Sequence, residues 1–175
     1  MDAKDTFFCK KTLLNCNGRL LDVSKPVVMG IVNATPDSFY EQSRQQTTKE
    51  ILTTVDKMLE EGAGIIDIGG YSTRPGAEDI AVNEEQERVL PLIDAVVKEY
   101  PDVIISIDTF RAEVATAAIG MGAAIVNDIS AGSMDERMFK TVAELNVPYI
   151  LMHMQGAPQT MQKNPHYEDV VGEVL

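Results

Sequence analysis

"VIISIDTFRAEVATAAIGMGAAIVND", Val103 to Asp128, contains a strand, a helix and a second strand in immediate succession. An apolar run ends at Asp108, a helical segment "RAEVATAAIGMG" follows, and a second apolar run ends at Asn127 and Asp128. Strands that are apolar throughout, rather than alternating, are buried on both faces. Joined by helices, they predict a parallel sheet with helices packed over it.

The same rhythm continues on both sides of this unit. Upstream, Val27 to Val32 reads as a strand, and "TTKEILTTVDKMLEEGA" as an amphipathic helix with Ile51, Val55, Met58 and Leu59 on one face. Thr47 and Glu50 have capping-box spacing there. "GIIDIGG" predicts the next strand. "NEEQERVLPLIDAVVKEY" predicts a helix with Asn83 as N-cap, Gln86 at its third position and a bend or break at Pro91. Downstream, "MDERMFKTVAELN" reads as a helix capped by Ser133 with Glu136, "PYILMHM" as a fifth strand, and His166 to Leu175 as the start of a further helix.

Five βα units result. Before them, "KKTLLNCNGRLLD" alternates around Asn17-Gly18, a dipeptide suited to the positive φ angles of a tight turn, which predicts a hairpin within residues 5–24. Cys9 and Cys16, seven positions apart, would lie on opposite faces of one strand and are expected as free thiols.

In a parallel α/β sheet the C-terminal ends of all strands share one edge. That edge would gather Asn33, Asp67, Asp108, Asn127 with Asp128, and His153. A doubly wound sheet and a (β/α)8 barrel compete. No G-x-G-x-x-G follows the first strand, and polar groups at every strand end suit a barrel rim. The expected architecture is an α/β chain: a hairpin followed by the first five units of a (β/α)8 TIM barrel over residues 26–175, in a single domain spanning 1–175.

Composition narrows function. A formal net charge of -12 disfavours nucleic acid and anionic membrane surfaces as partners. No apolar run is long enough for a signal peptide or a membrane span, so a cytoplasmic enzyme-like domain is expected. Neither a Ser-His-Asp or Cys-His pairing nor zinc-site spacing occurs.

Taken together, "MGIVNATPDSF", "DIGGYSTRPGA", "SIDTFRAEVA", "NDISAG" and "LMHMQGAPQTMQ" resemble dihydropteroate synthases in order and spacing across nearly all of residues 26–165. The resemblance implies a (β/α)8 barrel of folate synthesis that joins 6-hydroxymethyl-7,8-dihydropterin diphosphate to p-aminobenzoate and releases pyrophosphate, the step inhibited by sulfonamides. It implies Mg2+ as cofactor and a homodimer at full length.

Residue by residue, the resemblance makes Asn33 a magnesium ligand through its amide oxygen, a hard donor of the kind Mg2+ takes; the alternative is a strand end closed by local bonding. Asp37 organises metal and pyrophosphate, and Phe39 forms part of the aminobenzoate pocket; a plain Pro-Asp turn is the alternative. This loop departs from the family pattern after Phe39, reading Tyr40 to Ser43 where Asp-Gly-Gly is usual. Thr73 and Arg74 contact diphosphate and aminobenzoate, with Pro75 restricting Arg74 to extended backbone. Asp108 and Asn127 read the pterin, although Asp108 also fits a helix N-cap. Asp67 either shapes the loops or assists ring recognition. Met152 lines the pterin pocket, the alternative being a core-filling methionine of an apolar strand, and His153 is expected to be structural.

Arg74 and Arg111 are the basic residues expected at the rim. The family's later pterin carboxylate, lysine, arginine and histidine fall on strands six to eight, outside this sequence, so weak or no synthase activity is expected of these 175 residues by themselves. Two alternatives remain: a noncatalytic pterin-binding half-barrel, and a methyltetrahydrofolate-dependent methyltransferase, whose loops are not expected to read "TPDSF" and "STRPG".

Overall fold

The computed structural model describes residues 12–34, 44–72, 79–156, 160–161 and 164–174. Strands β1 (Leu13–Cys16) and β2 (Arg19–Asp22) form the expected antiparallel hairpin. Asn17 and Gly18 take φ of 52° and 87°, the left-handed values that the dipeptide was suited to supply.

β3 (Val28–Asn33), β4 (Ala63–Gly69), β5 (Ile104–Asp108), β6 (Ile125–Asp128) and β7 (Tyr149–Leu151) form one parallel sheet in that spatial order. Helices α1 (Arg44–Glu60), α2 (Val82–Glu99), α3 (Ala112–Met121) and α4 (Met138–Leu145) alternate with them, and α5 (Val170–Val174) follows. Each strand lies beside its sequence neighbours. A doubly wound sheet reverses its strand order at a switch point; this sheet does not, so it is an arc of a barrel.

The two faces of the sheet divide the work. Val32, Ile66, Ile68, Ile105, Ile107 and Val126 pack outward against Val55 of α1, Val89, Ile93 and Val96 of α2, and Val114 and Ala118 of α3. Burying each branched side chain contributes about 1.5–3 kcal/mol, so this layer carries most of the stability. Facing inward, Ile65, Ile104 and Ile125 meet Cys16, Leu14 and Leu21 of the hairpin. The Arg19 guanidinium donates to the carbonyls of Pro101 and Val103, anchoring the hairpin beneath the N-terminal ends of the strands. The hairpin thus covers the end opposite the polar rim. Cys16 is a buried free thiol, and burial pushes its pKa up; Cys9 lies outside the described residues.

Several helix starts differ from the sequence reading. Thr47 lies inside α1, and Asn83 is the second residue of α2, which follows Ala81 without a side-chain cap. α2 runs unbroken through Pro91. α4 begins at Met138, leaving Ser133 well outside it. Before it, Asp128 accepts from the Ser130 and Gly132 N–H groups and holds those residues in turns, while the Asp135 carboxylate accepts from the N–H groups of Arg137 and Ala112 at 3.0 and 2.9 Å. Asp67 sits two residues inside β4, and His153 lies two beyond β7. Among the described residues, no helix is long and apolar enough to cross a membrane.

Candidate functional site

Parallel pairing sets Asn33, Gly69, Asp108 and Asn127 at one level across four strands, with Ile150 of β7 continuing the row. One pleat below, Ile31, Asp67, Ser106 and Ile125 form a second row. Side chains alternate along each strand, so both rows belong to the concave face. Gly69 has a steric role here: a Cβ would stand 3.3 Å from the Asp108 carboxylate, which therefore has room only because the neighbouring strand carries no side chain.

The Asn127 amide donates from Nδ2 to Asp67 Oδ2 at 3.1 Å, across the intervening strand. That fixes the amide orientation and leaves the carbonyl oxygen without a donor among the described residues. Asp67 Oδ1 and Ser106 Oγ are buried without a hydrogen-bond partner. Burial raises the Asp67 pKa; Asn127 opposes that shift, as does the Ser106 hydroxyl, which lies near the carboxyl but outside hydrogen-bond geometry.

Asp108 makes no hydrogen bond to a described residue. Burial first, then the charges of Asp67, Glu85 and Asp128, push its pKa up to about 7. Its N-cap alternative does not hold: Thr109 Oγ1 accepts from Arg111 N–H and Asp135 accepts from Ala112 N–H at the start of α3. Among the described residues the rim is therefore rich in acceptors.

Asn33 is exposed at the end of β3, and its side chain makes no hydrogen bond to a described residue. Among the described residues, no three His, Cys, Asp or Glu side chains gather in a way that could hold a metal ion. A single amide oxygen nevertheless fits a hard cation whose other positions go to water and phosphate. Met152 is half-buried, and its N–H donates to the Asp128 carbonyl at 3.1 Å, one step past β7. His153 is exposed, with its ring 5.5 Å from that of Tyr167. Asp37, Phe39, Thr73, Arg74 and Pro75 lie outside the described residues.

Arg111 is not the free rim cation that its position suggests. Its guanidinium is bound to Glu85 at 2.8 Å, to Asp79 at 3.0 Å and to the Ile80 carbonyl at 2.7 Å. Glu85, fully buried, also accepts from Thr109 Oγ1 at 2.7 Å. Burial raises its pKa, against the pull of Thr109 and Arg111. Arg88, buried beside it, donates to the Gly70 carbonyl at 3.1 Å and pairs with Glu84. None of this was anticipated, yet a signal existed. Glu85, Arg88, Val89, Leu92 and Val96 keep the helical spacing of one buried face, and the first two are charges standing on it.

The family profile described as pterin binding enzyme matches residues 29–175. A dihydropteroate synthase of Haemophilus influenzae is 46% identical over 162 residues, covering 93% of this chain and 58% of that protein. Among solved structures, Xanthomonas albilineans dihydropteroate synthase with 4-aminobenzoic acid superposes with a TM-score of 0.78 at 44% identity, covering 93% of this chain and 57% of that one. The same enzyme in complex with 7,8-dihydropteroate gives 0.74 at 40% identity, covering 93% and 55%. The chain spans a little over half the length of each of these relatives.

Proposed function

The chain belongs to the family of pterin binding enzymes, and from that premise we propose that it supplies the first part of a dihydropteroate synthase site. The reaction joins 6-hydroxymethyl-7,8-dihydropterin diphosphate to p-aminobenzoate. The pterin methylene C–O bond breaks as pyrophosphate departs, the aniline nitrogen forms the new C–N bond, and its proton is lost to solvent.

The observation that carries this reading is the set of unpaired acceptors on the concave face: the Asp108 carboxylate, the Asn127 carbonyl oxygen and Asp67 Oδ1. A 2-amino-4-oxopterin presents adjacent N–H donors along one edge of its ring. Of these, Asp67 Oδ1 is fully buried; a buried acceptor left without a donor costs about 1–3 kcal/mol, which a ring with matching N–H groups recovers and a ring without them does not.

Around that edge, Thr73 and Arg74 would donate to diphosphate and aminobenzoate, Asp37 would organise the leaving group, Phe39 and Pro75 would wall the aminobenzoate, and Met152 would pack on the pterin. Asn33 would offer its amide oxygen to Mg2+, which when bound neutralises charge on the leaving diphosphate. Orientation of the aniline nitrogen at the methylene carbon then contributes several kcal/mol without a covalent intermediate. A cytoplasmic location and a homodimer at full length belong to the same proposal.

A second reading, a half-barrel that only binds pterin, rests on the same acceptors and needs no diphosphate chemistry. Titration calorimetry with the pterin diphosphate and Mg2+ tests what both readings share. Binding that weakens about tenfold in Asn127→Ala is expected from the loss of one such contact. Absence of binding to the folded chain would overturn both.

A further inference from the structure

"GGYSTRPGAEDIA", Gly69 to Ala81, is a long connection between β4 and α2, and it carries Thr73 and Arg74 between two stems. A connection of that length places its side chains reproducibly only if its ends are held. We propose that Arg111 is the positioning residue that ties both stems to the end of β5, which bears Asp108.

The first stem is held twice. The Gly70 carbonyl accepts from Arg88 at 3.1 Å. The Tyr71 ring lies 5.2 Å from the Arg111 guanidinium and meets the Phe110 ring edge-on, centroids 4.9 Å apart at 86°. The same guanidinium stands 5.0 Å from the Phe110 ring, a cation–π arrangement that packs it between strand end and stem. The second stem is held by Arg111 Nη2, which donates to the Ile80 carbonyl at 2.7 Å and to Asp79 at 3.0 Å.

The remaining arm, Nη1, donates to Glu85 at 2.8 Å. Glu85 is fully buried and also takes the Thr109 hydroxyl at 2.7 Å, so its charge is stable there only with a cation in place. Thr109 is itself tied to β6, its N–H donating to the Asn127 carbonyl at 3.0 Å. One planar fork therefore joins two stems, helix α2 and the strand end next to Asp108 and Asn127. A lysine ammonium could satisfy Glu85 but could not reach all three directions while stacking on two rings. With both Nη atoms engaged by Glu85, Asp79 and Ile80, Arg111 acts on the ligand through the segment it holds.

The structural part stands on the contacts alone; the ligand part rests on the reading of the site as a pterin diphosphate site. The test uses this chain as wild type, Arg111→Ala, Arg111→Lys and Asp79→Ala. Hydrogen exchange is read at residues 70–72 and 79–81, with affinities for inorganic pyrophosphate and 6-hydroxymethylpterin measured by calorimetry. In Arg111→Ala, exchange in both stems rises about tenfold or more while the amides of β4 and β5 stay protected. Pyrophosphate affinity falls roughly tenfold and pterin affinity changes less than about twofold, with Arg111→Lys between Ala and wild type on both stems and pyrophosphate.

Unchanged stem exchange in a folded Arg111→Ala overturns the proposal, as does an equal loss of both ligands. Should Arg111→Ala fail to fold, Asp79→Ala decides. Asp79 is 80% exposed and stands by the Tyr71 hydroxyl as well as by Arg111, so exchange at 79–81 should rise about threefold and at 70–72 by less; no rise at 79–81 overturns the proposal. If wild type binds neither pyrophosphate nor pterin, the reading of the site fails, while stem exchange still decides whether Arg111 holds the segment.

Discussion

Asp108 and Asp128 end neighbouring strands, one on β5 and one on β6, and the pairing of Asp108 with Asn127 puts them on opposite faces of the sheet. Asp128, on the outer side, is fully buried and saturated. It accepts from Ser130 N–H and Oγ at 2.7 Å each, from Gly132 N–H at 2.9 Å and from Tyr149 Oη at 2.6 Å. Asp108, on the inner side, is less buried and has no hydrogen bond to a described residue. The same side chain in the same topological position thus does two jobs. Where described residues supply the donors, the carboxylate builds a turn; where none of them does, the carboxylate is left open on the concave face.

The largest effect should come from the saturated side. In Asp128→Ala, two buried backbone N–H groups and two hydroxyls lose their acceptor, and the loop from Ser130 to Arg137 loses its organising group. Stability should fall by about 3 kcal/mol or more in urea unfolding. A loss below about 1 kcal/mol would break the comparison, because saturation would then carry no energy.

Asp108→Asn should act in the opposite direction. The folded-state pKa of Asp108 is pushed up to about 7 from an ordinary value of 3.8, so between those values the native chain holds a proton that the unfolded chain has lost. Wild-type stability therefore declines as pH rises through that window and levels off above about 7. The asparagine has no proton to lose, so it should be more stable than wild type at pH 8, by about 2 kcal/mol once solvent at the open rim is allowed for. The difference should vanish near pH 4, where both side chains are neutral. A variant less stable than wild type at pH 8 would mean that Asp108, like Asp128, serves the fold.

This contrast also explains what could be read in advance. The parallel sheet was legible because runs such as "VIISID" and "GIIDIGG" are buried on both faces, and the hairpin because Asn17-Gly18 tolerates the positive φ its turn requires. Asn33, Asp108 and Asn127 were legible as strand ends, and the pairing puts them on one row. The caps were not. Thr47 with Glu50, Asn83 with Gln86 and Ser133 with Glu136 are short patterns that arise easily; the Ala112 N–H at α3 goes instead to Asp135 of a later segment, and the N–H groups of Arg111 and Arg137 go to Thr109 and Asp135, two residues before each. Arg111 looked available because its partners, Glu85 and Asp79, lie far upstream in sequence and meet it only when α2 packs beside β5. Side chains answered by the chain's own distant groups are the ones a linear reading misassigns.

Asn33 sharpens the inner side of the comparison with the smallest expected change in stability. It sits in the same row as Asp108, but it is uncharged, exposed and without a hydrogen bond to a described residue, so no desolvated charge depends on it. Asn33→Ala should shift unfolding stability by no more than about 0.5 kcal/mol at any pH between 5 and 8. If its amide oxygen serves Mg2+, the loss appears elsewhere: the gain in pyrophosphate affinity that Mg2+ confers on wild type, read by calorimetry with and without the ion, should be much reduced in the variant. A stability loss above about 1 kcal/mol would move Asn33 to the side of Asp128, as a residue the fold uses. An undiminished Mg2+ effect would leave it on the inner rim without the metal. Only an unchanged fold with a diminished ion effect places it with Asp108, among the groups this chain leaves unanswered for a ligand.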